Sequence, residues 1–142
     1  MKRELSNYFT IETLSNMRNK RFIISAISDF IRPYDPTLEH IDDIKTATSE
    51  AITNAAAFAY QGTTGKISVK VSIFDGSQIE IKVQDWGCGI NNITKALEPL
   101  YTTGGEDFSG MGFTIMSSFM DSLNVKSILG KGTTVIMTKK LN

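Results

Sequence analysis

The chain is poor in the residues that staple folds, bind soft metals or cross membranes. Its 142 residues contain one cysteine, Cys88, and one histidine, His40. A single cysteine excludes an intrachain disulfide and a zinc site built on cysteines, and it fits a reducing, cytosolic setting. His40 reads as a surface residue, and no histidine near Cys88 in the sequence would make that thiol a nucleophile. No stretch approaches the roughly 18 apolar residues of a membrane span. The opening Met1-Lys-Arg-Glu-Leu-Ser6 lacks the apolar run of a signal peptide. A cytoplasmic chain with no membrane span is the expectation. Charge of one sign is also missing, because 15 Lys and Arg offset 15 Asp and Glu. A nucleic-acid-binding domain would favour a basic excess, so no direct nucleic-acid partner is expected. No repeat, low-complexity tract or linker interrupts the chain, and its length suits one domain, residues 1–142, with a real core.

What is present is ordered by period. Leu5, Tyr8, Phe9 and Ile11 predict a short strand over 5–11. Ser15 stands as N-cap of a helix running to about Ile31, whose apolar positions Phe22, Ile23, Ile27, Phe30 and Ile31 recur at helical spacing. Arg32-Pro33-Tyr34-Asp35-Pro36 ends it, since the residue before a proline is driven from the helical region. Asp35 is expected to cap a second helix with Pro36 at its first position. That helix runs to about Tyr60 on a stripe of Leu38, Ile41, Ile44, Ala51, Ile52, Ala55 and Phe58. Ile67, Val69, Val71 and Ile73 then alternate with polar residues, and so do Ile79, Ile81 and Val83 beyond Asp75-Gly76-Ser77. This is an antiparallel hairpin with one buried face. A short helix near Ile93 to Leu97 stops at Pro99, and Tyr101 to Ser109 reads as a polar loop. A third substantial helix covers Met111 to about Met120, with Met111, Met116 and Met120 as packing residues. Leu123 to Ile128 and Thr133 to Thr138 pair through Leu129-Gly130-Lys131-Gly132. Helices come first and hairpins follow. The expected class is α+β, a two-layer sandwich with helices on one face of a mixed, mostly antiparallel sheet.

Several residues carry chemistry as well as an ordinary structural reading. Asp85 ends a predicted strand and is followed by Gly87 and Gly89, which let backbone approach a flat ligand closely. Asp85 either accepts a hydrogen bond from an exocyclic amino group or caps the turn. Glu50 and Asn54 lie one turn apart on one helix face. Asn54 offers a neutral oxygen to Mg²⁺ and Glu50 a base for a hydroxyl proton, or both are plain helix-surface residues. Gly110-Met111-Gly112 opens a helix whose free N–H groups favour an anion, or it is a glycine-rich helix entry. Thr133 is a β-branched strand residue. Trp86 either shields a ligand or only packs, and Cys88 fills the variable slot of the glycine loop.

The order Glu50-x-x-x-Asn54, Asp85-x-Gly87-x-Gly89, Gly110-x-Gly112, Gly132-Thr133 resembles the nucleotide-binding boxes of the GHKL superfamily, which includes gyrase, histidine kinases and MutL. Asp35-Pro-Thr37, Ile44-Lys-Thr46, Ser49-Glu-Ala-Ile-Thr-Asn-Ala55, Pro99-Leu-Tyr-Thr-Thr103 and Ser109-Gly-Met-Gly-Phe-Thr-Ile-Met116 resemble, more closely, the anti-sigma F factors of spore-forming bacteria, a family of serine-protein kinases. The likeness runs from about Phe30 to the C-terminus. It implies a Bergerat-type ATP-binding fold with ATP and Mg²⁺ as cofactors. Asp85 would bind the adenine amino group, with Gly87 and Gly89 bordering the adenine and Thr133 on the same side. Ser109, Gly110, Met111, Gly112 and Phe113 would border the phosphates, and Asn54 would hold Mg²⁺. Glu50 would be the catalytic base that activates a serine hydroxyl on a STAS-domain anti-anti-sigma protein. The implied partners are a sigma factor, that STAS protein and a second copy in a homodimer, in transcriptional control of sporulation.

The chain departs from the family pattern at three places. Phe58-Ala59 stands where members usually carry His-Gly. Gly104-Gly105-Glu106-Asp107-Phe108 replaces a lid with Lys-Pro-Glu and an arginine. Ile24 occupies a first-helix position where the family uses an arginine for its partners, with Arg21 nearby. A cation near the γ-phosphate stabilises charge in phosphoryl transfer. The alternative to a kinase is therefore a nucleotide-binding anti-sigma module whose kinase activity has decayed.

Overall fold

A computed structural model describes residues 2–90, 97 and 111–142. The helix expected near Ile93 to Leu97 (Leu97 itself apart) and the segment Tyr101 to Ser109 lie outside the described residues, as do Ser109 and Gly110. The elements in order are β1 (Leu5–Leu14), α1 (Lys20–Ile31), α2 (Leu38–Ala57), β2 (Lys66–Phe74), β3 (Gln78–Asp85), α3 (Gly112–Phe119), β4 (Ser122–Ile128) and β5 (Gly132–Lys140). The strands form one sheet in the order β1-β2-β3-β5-β4. Each of its pairings is antiparallel, so the sheet expected to be mostly antiparallel is wholly so among the described residues.

The alternation read in the hairpin sets its register. Val69 faces Val83, Val71 faces Ile81 and Ile73 faces Ile79, and these side chains are buried. Asp75 and Gly76 turn the chain with φ of 55° and 65°, and Ser77 N–H donates to the Phe74 carbonyl at 3.1 Å. Such left-handed turns match strand twist and suit Asp-Gly. Ile23, Ile27 and Ile31 of α1 and Ile44, Ala51, Ile52 and Ala55 of α2 cover the buried sheet face, with Met116 of α3 and Met137 of β5 completing the core. The Leu141 side chain is fully buried. Its N–H donates to the Ser77 carbonyl at 2.8 Å and its carbonyl accepts from Thr37 N–H at 3.1 Å, tying the chain end to a turn and a helix start.

Local capping differs from expectation in two places. Asp35 does not cap α2. It closes a short 3-10 turn, Arg32–Tyr34, in the left-handed conformation at φ 54°, and Thr37 is the N-cap, its hydroxyl accepting from His40 N–H at 3.1 Å. Pro36 therefore precedes the cap. Ser15 is likewise displaced. Its Oγ accepts from Gly65 N–H at 3.0 Å, while Asn16 caps a 3-10 turn, Met17–Asn19, that leads into α1. The strand β1 is longer than expected because it pairs with β2 to Leu14 opposite Lys66. Two residues assigned to buried stripes are exposed. Phe22 sits about 100° around α1 from Ile23 and is 60% exposed, and Leu38 opens α2 beyond the sheet and is 81% exposed.

Candidate functional site

The end of β3 is where the predicted residues first converge. Asp85 is only 7% exposed. Its Oδ1 accepts from Gly87 N–H at 3.0 Å and from Thr133 N–H at 3.2 Å. Burial pushes the Asp85 carboxyl above its ordinary value of 3.8, and the two backbone hydrogen bonds pull down without cancelling that effect. Both hydrogen bonds fall on Oδ1. Among the described residues Oδ2 is left as a free acceptor in a desolvated setting, which suits an incoming N–H donor.

Three glycines let the surrounding backbone close on this carboxylate. A Cβ on Gly132 would lie 2.2 Å from the Asp85 carbonyl oxygen, one on Gly87 would lie 2.1 Å from the Ala59 carbonyl oxygen, and one on Gly89 would lie 2.4 Å from that of Ile128. The missing side chains of Gly87 and Gly89 therefore face the protein's own main chain. Cys88 N–H donates to the Ala59 carbonyl and Gly130 N–H to the Cys88 carbonyl, both at 2.7 Å. The loop after β3 is thus held between the end of α2 and the β4–β5 turn. Ala59 belongs to the Phe58-Ala59 pair, and its carbonyl and methyl groups lie against Gly87.

The helix α2 carries the second cluster. Glu50 and Asn54 are partly exposed and one turn apart, and Phe58 N–H donates to the Asn54 carbonyl at 3.0 Å. The start of α3 meets Asn54. A Cβ on Gly112 would stand 3.1 Å from both Oδ1 and Nδ2 of Asn54, so glycine there lets the helix approach the carboxamide. Met111 at the N-cap has no side-chain oxygen with which to cap the first-turn N–H groups. The structure brings Asp85, Gly87 and Thr133 together at one place and Asn54 and Gly112 at another. The last turn of α2 and the two residues after it span the interval, from Asn54 to Ala59.

Some residues were not legible as site residues from the sequence. Tyr60 Oη donates to the Lys66 carbonyl at 2.5 Å and accepts from Trp86 N–H at 2.8 Å, holding the residue next to Asp85. Lys66 Nζ stands 4.2 Å from the centroid of the Trp86 ring, a cation–π contact. Ser127 accepts from Ile90 N–H at 2.7 Å and shares a 2.8 Å hydrogen bond with the Thr133 hydroxyl. Only Ser127 had a sequence signal, its position opposite Thr133 in the predicted hairpin.

Comparison with known proteins places the chain. A family model for the histidine kinase-like ATPase domain matches residues 14–139. The anti-sigma F factor of Clostridium acetobutylicum is 44% identical over 137 residues, 96% of this chain and 95% of the relative. The anti-sigma F factor of Thermoanaerobacter sp. strain X514 is 46% identical over 137 residues, again 96% and 95%. The chain belongs to the anti-sigma F factor family. Family membership brings with it the ATP-binding GHKL fold, and solved structures share that architecture at low identity. The RsbU and RsbW domains of a Mycobacterium tuberculosis protein align with a TM-score of 0.67 at 17% identity, over 96% of this chain and 32% of that one. The mycobacterial sensor histidine kinase MprB aligns at 0.57 and 20%, over 70% and 71%. No helix among the described residues is long and apolar enough to cross a membrane.

Proposed function

We propose that this anti-sigma F family member binds a sigma factor and, as a homodimer using ATP and Mg²⁺, phosphorylates a serine of a STAS-domain anti-anti-sigma protein. The observation that supports it best is Asp85, buried with one carboxylate oxygen held by two backbone N–H groups and the other free to accept. An exocyclic amino group is a donor of the right kind for that oxygen. Gly87 and Thr133 hold the carboxylate through their N–H groups, and Gly87, Gly89 and Thr133 would border the adenine. The first turn of α3, with Met111, Gly112 and Phe113, is the phosphate end, where N–H groups at a helix start suit an anion, and Ser109 and Gly110 precede it directly in the sequence. Asn54, against Gly112, would offer an oxygen to Mg²⁺, a hard cation that prefers oxygen ligands. ATP, when bound, supplies the transferable phosphoryl group. Glu50, one turn from Asn54, takes the proton from the attacking serine hydroxyl.

A second reading rests on the sequence Gly104-Gly105-Glu106-Asp107-Phe108, which has two carboxylates and no cation where the family carries Lys-Pro-Glu and an arginine. In that reading the chain binds nucleotide and sigma factor without transferring phosphate. One experiment separates the two. Purified protein is incubated with Mg²⁺, γ-labelled ATP and each STAS-domain protein of the same genome. Label on a serine of one of them supports the kinase and names its partner. Absence of label from every one, with ATP binding shown, establishes the binding module.

A further inference from the structure

We infer that Lys139 is a positioning residue for the phosphate end of the site, acting through α3. Lys139 lies on the inward face of β5 and is 8% exposed. Its Nζ donates to the Phe119 carbonyl at 2.6 Å, the last residue of α3. The same ammonium lies 3.5 Å from Asp43 Oδ2 on α2 and 4.0 Å from Asp121 Oδ1, just beyond α3. The Lys139 and Asp43 side chains are 10% and 20% exposed, so their attraction is little screened by solvent. A cation at a helix C-terminus also meets the negative end of the dipole and an orphan carbonyl. Asp121 is held in turn, its Oδ2 accepting from Lys140 N–H at 2.8 Å. The ammonium therefore ties the C-terminal end of α3 to both α2 and β5.

The other end of α3 is where the site lies. Asp43 and Asn54 are eleven residues apart on α2, three turns, and project within about 20° of each other about 16 Å apart. The helix α3, of eight residues, is about 12 Å long and packs along this face as a short rod. Lys139 and Asp43 hold one end of the rod, and Gly112 against Asn54 marks the other. The first turn of α3 lies close to the Asn54 carboxamide, since a Cβ added at Gly112 would stand 3.1 Å from it, so a tilt of α3 at Phe119 changes the relation of that turn to Asn54. Asp85 belongs to β3 and the glycine loop and does not depend on this rod.

This inference rests on the reading of the first turn of α3 as the phosphate end, and its test separates the two. Affinities of the full chain for ADP and for adenosine, each with Mg²⁺, are measured by calorimetry for wild type, Lys139→Met and Lys139→Arg. The expected result is ADP binding about tenfold weaker in Lys139→Met, adenosine binding within about twofold of wild type, and recovery of most of the ADP affinity in Lys139→Arg. A parallel loss of both ligands, or an unchanged ADP-to-adenosine ratio, overturns the role of Lys139. A wild-type protein that binds ADP no better than adenosine overturns the phosphate-end reading and the inference with it. If Lys139→Met does not fold, Asp43→Asn keeps the shape of the pair and removes one charge, and it must lower the same ratio for the inference to stand.

Discussion

Gly132 stands so close to Asp85 that a Cβ on it would lie 2.2 Å from the Asp85 carbonyl oxygen, and its φ of 129° is one that other residues avoid. The start of β5 and the end of β3 are thereby pressed together, and Thr133 N–H is delivered to the carboxylate. Gly132→Ala is expected to destabilise the fold by about 3 kcal/mol or more, because both the backbone angle and the contact oppose a methyl group. Gly130→Ala, at φ 81° with nothing within 4 Å of the added carbon, is expected to cost only about 1 kcal/mol. Urea unfolding of the two variants checks the contrast, and equal midpoints would show that the close approach is not rigid.

Asp85→Asn keeps an oxygen in the Oδ1 position for the Gly87 and Thr133 N–H groups but replaces the free acceptor with an NH₂ group. Nucleotide affinity is expected to fall while the unliganded fold is held at least as well near neutral pH. The sign follows from the raised carboxyl. The folded protein holds this proton more tightly than the unfolded chain, so the Asp85 contribution to stability falls as pH rises from about 3.8 through the folded value. The variant lacks that slope. Stability of both proteins measured across the acidic range tests this, and a constant difference between them would count against a raised carboxyl.

Glu50→Ala is expected to leave nucleotide affinity largely intact and to lower phosphotransfer about 10²- to 10⁴-fold, the usual worth of a general base. Calorimetry with ATP and a labelled-phosphate transfer assay on the same preparation measure the two effects. Transfer at the wild-type rate would dismiss Glu50 as the base.

Tyr60→Phe removes one oxygen and leaves the Lys66 carbonyl and the Trp86 N–H without their partner. A loss of about 1 kcal/mol is expected, together with a shift in tryptophan emission, since Trp86 is the only tryptophan. Unchanged emission would place the hydroxyl outside the forces that hold the Asp85 loop. The ring itself matters too, because Gly65 makes room for it, and a Cβ there would lie 2.1 Å from Tyr60.

Periodicity was enough for the helices and strands of the described residues. The β2–β3 hairpin was legible to the register because strands alternate faces strictly and Asp75-Gly76 admits left-handed angles. The long stripe of α2 was legible for the same kind of reason, yet its cap was not. The cap was expected at Asp35, but Asp35 closes the 3-10 turn Arg32–Tyr34 and Thr37 caps α2.

The spacing of Glu50 and Asn54, the glycines after Asp85 and the family to which the chain belongs were all determined by the sequence alone, because each depends on residue type and local order. Only the tertiary structure decided what those residues stand against. Gly87 meets Ala59, Gly89 meets Ile128, Gly132 meets Asp85 and Gly112 meets Asn54. Lys139 falls just past the strand expected over Thr133 to Thr138 and within β5. It is buried because Asp43, 96 residues before it, and Phe119 are folded onto the same point. Long-range approach of this kind arises from packing between distant segments, and no local pattern of residues carries it.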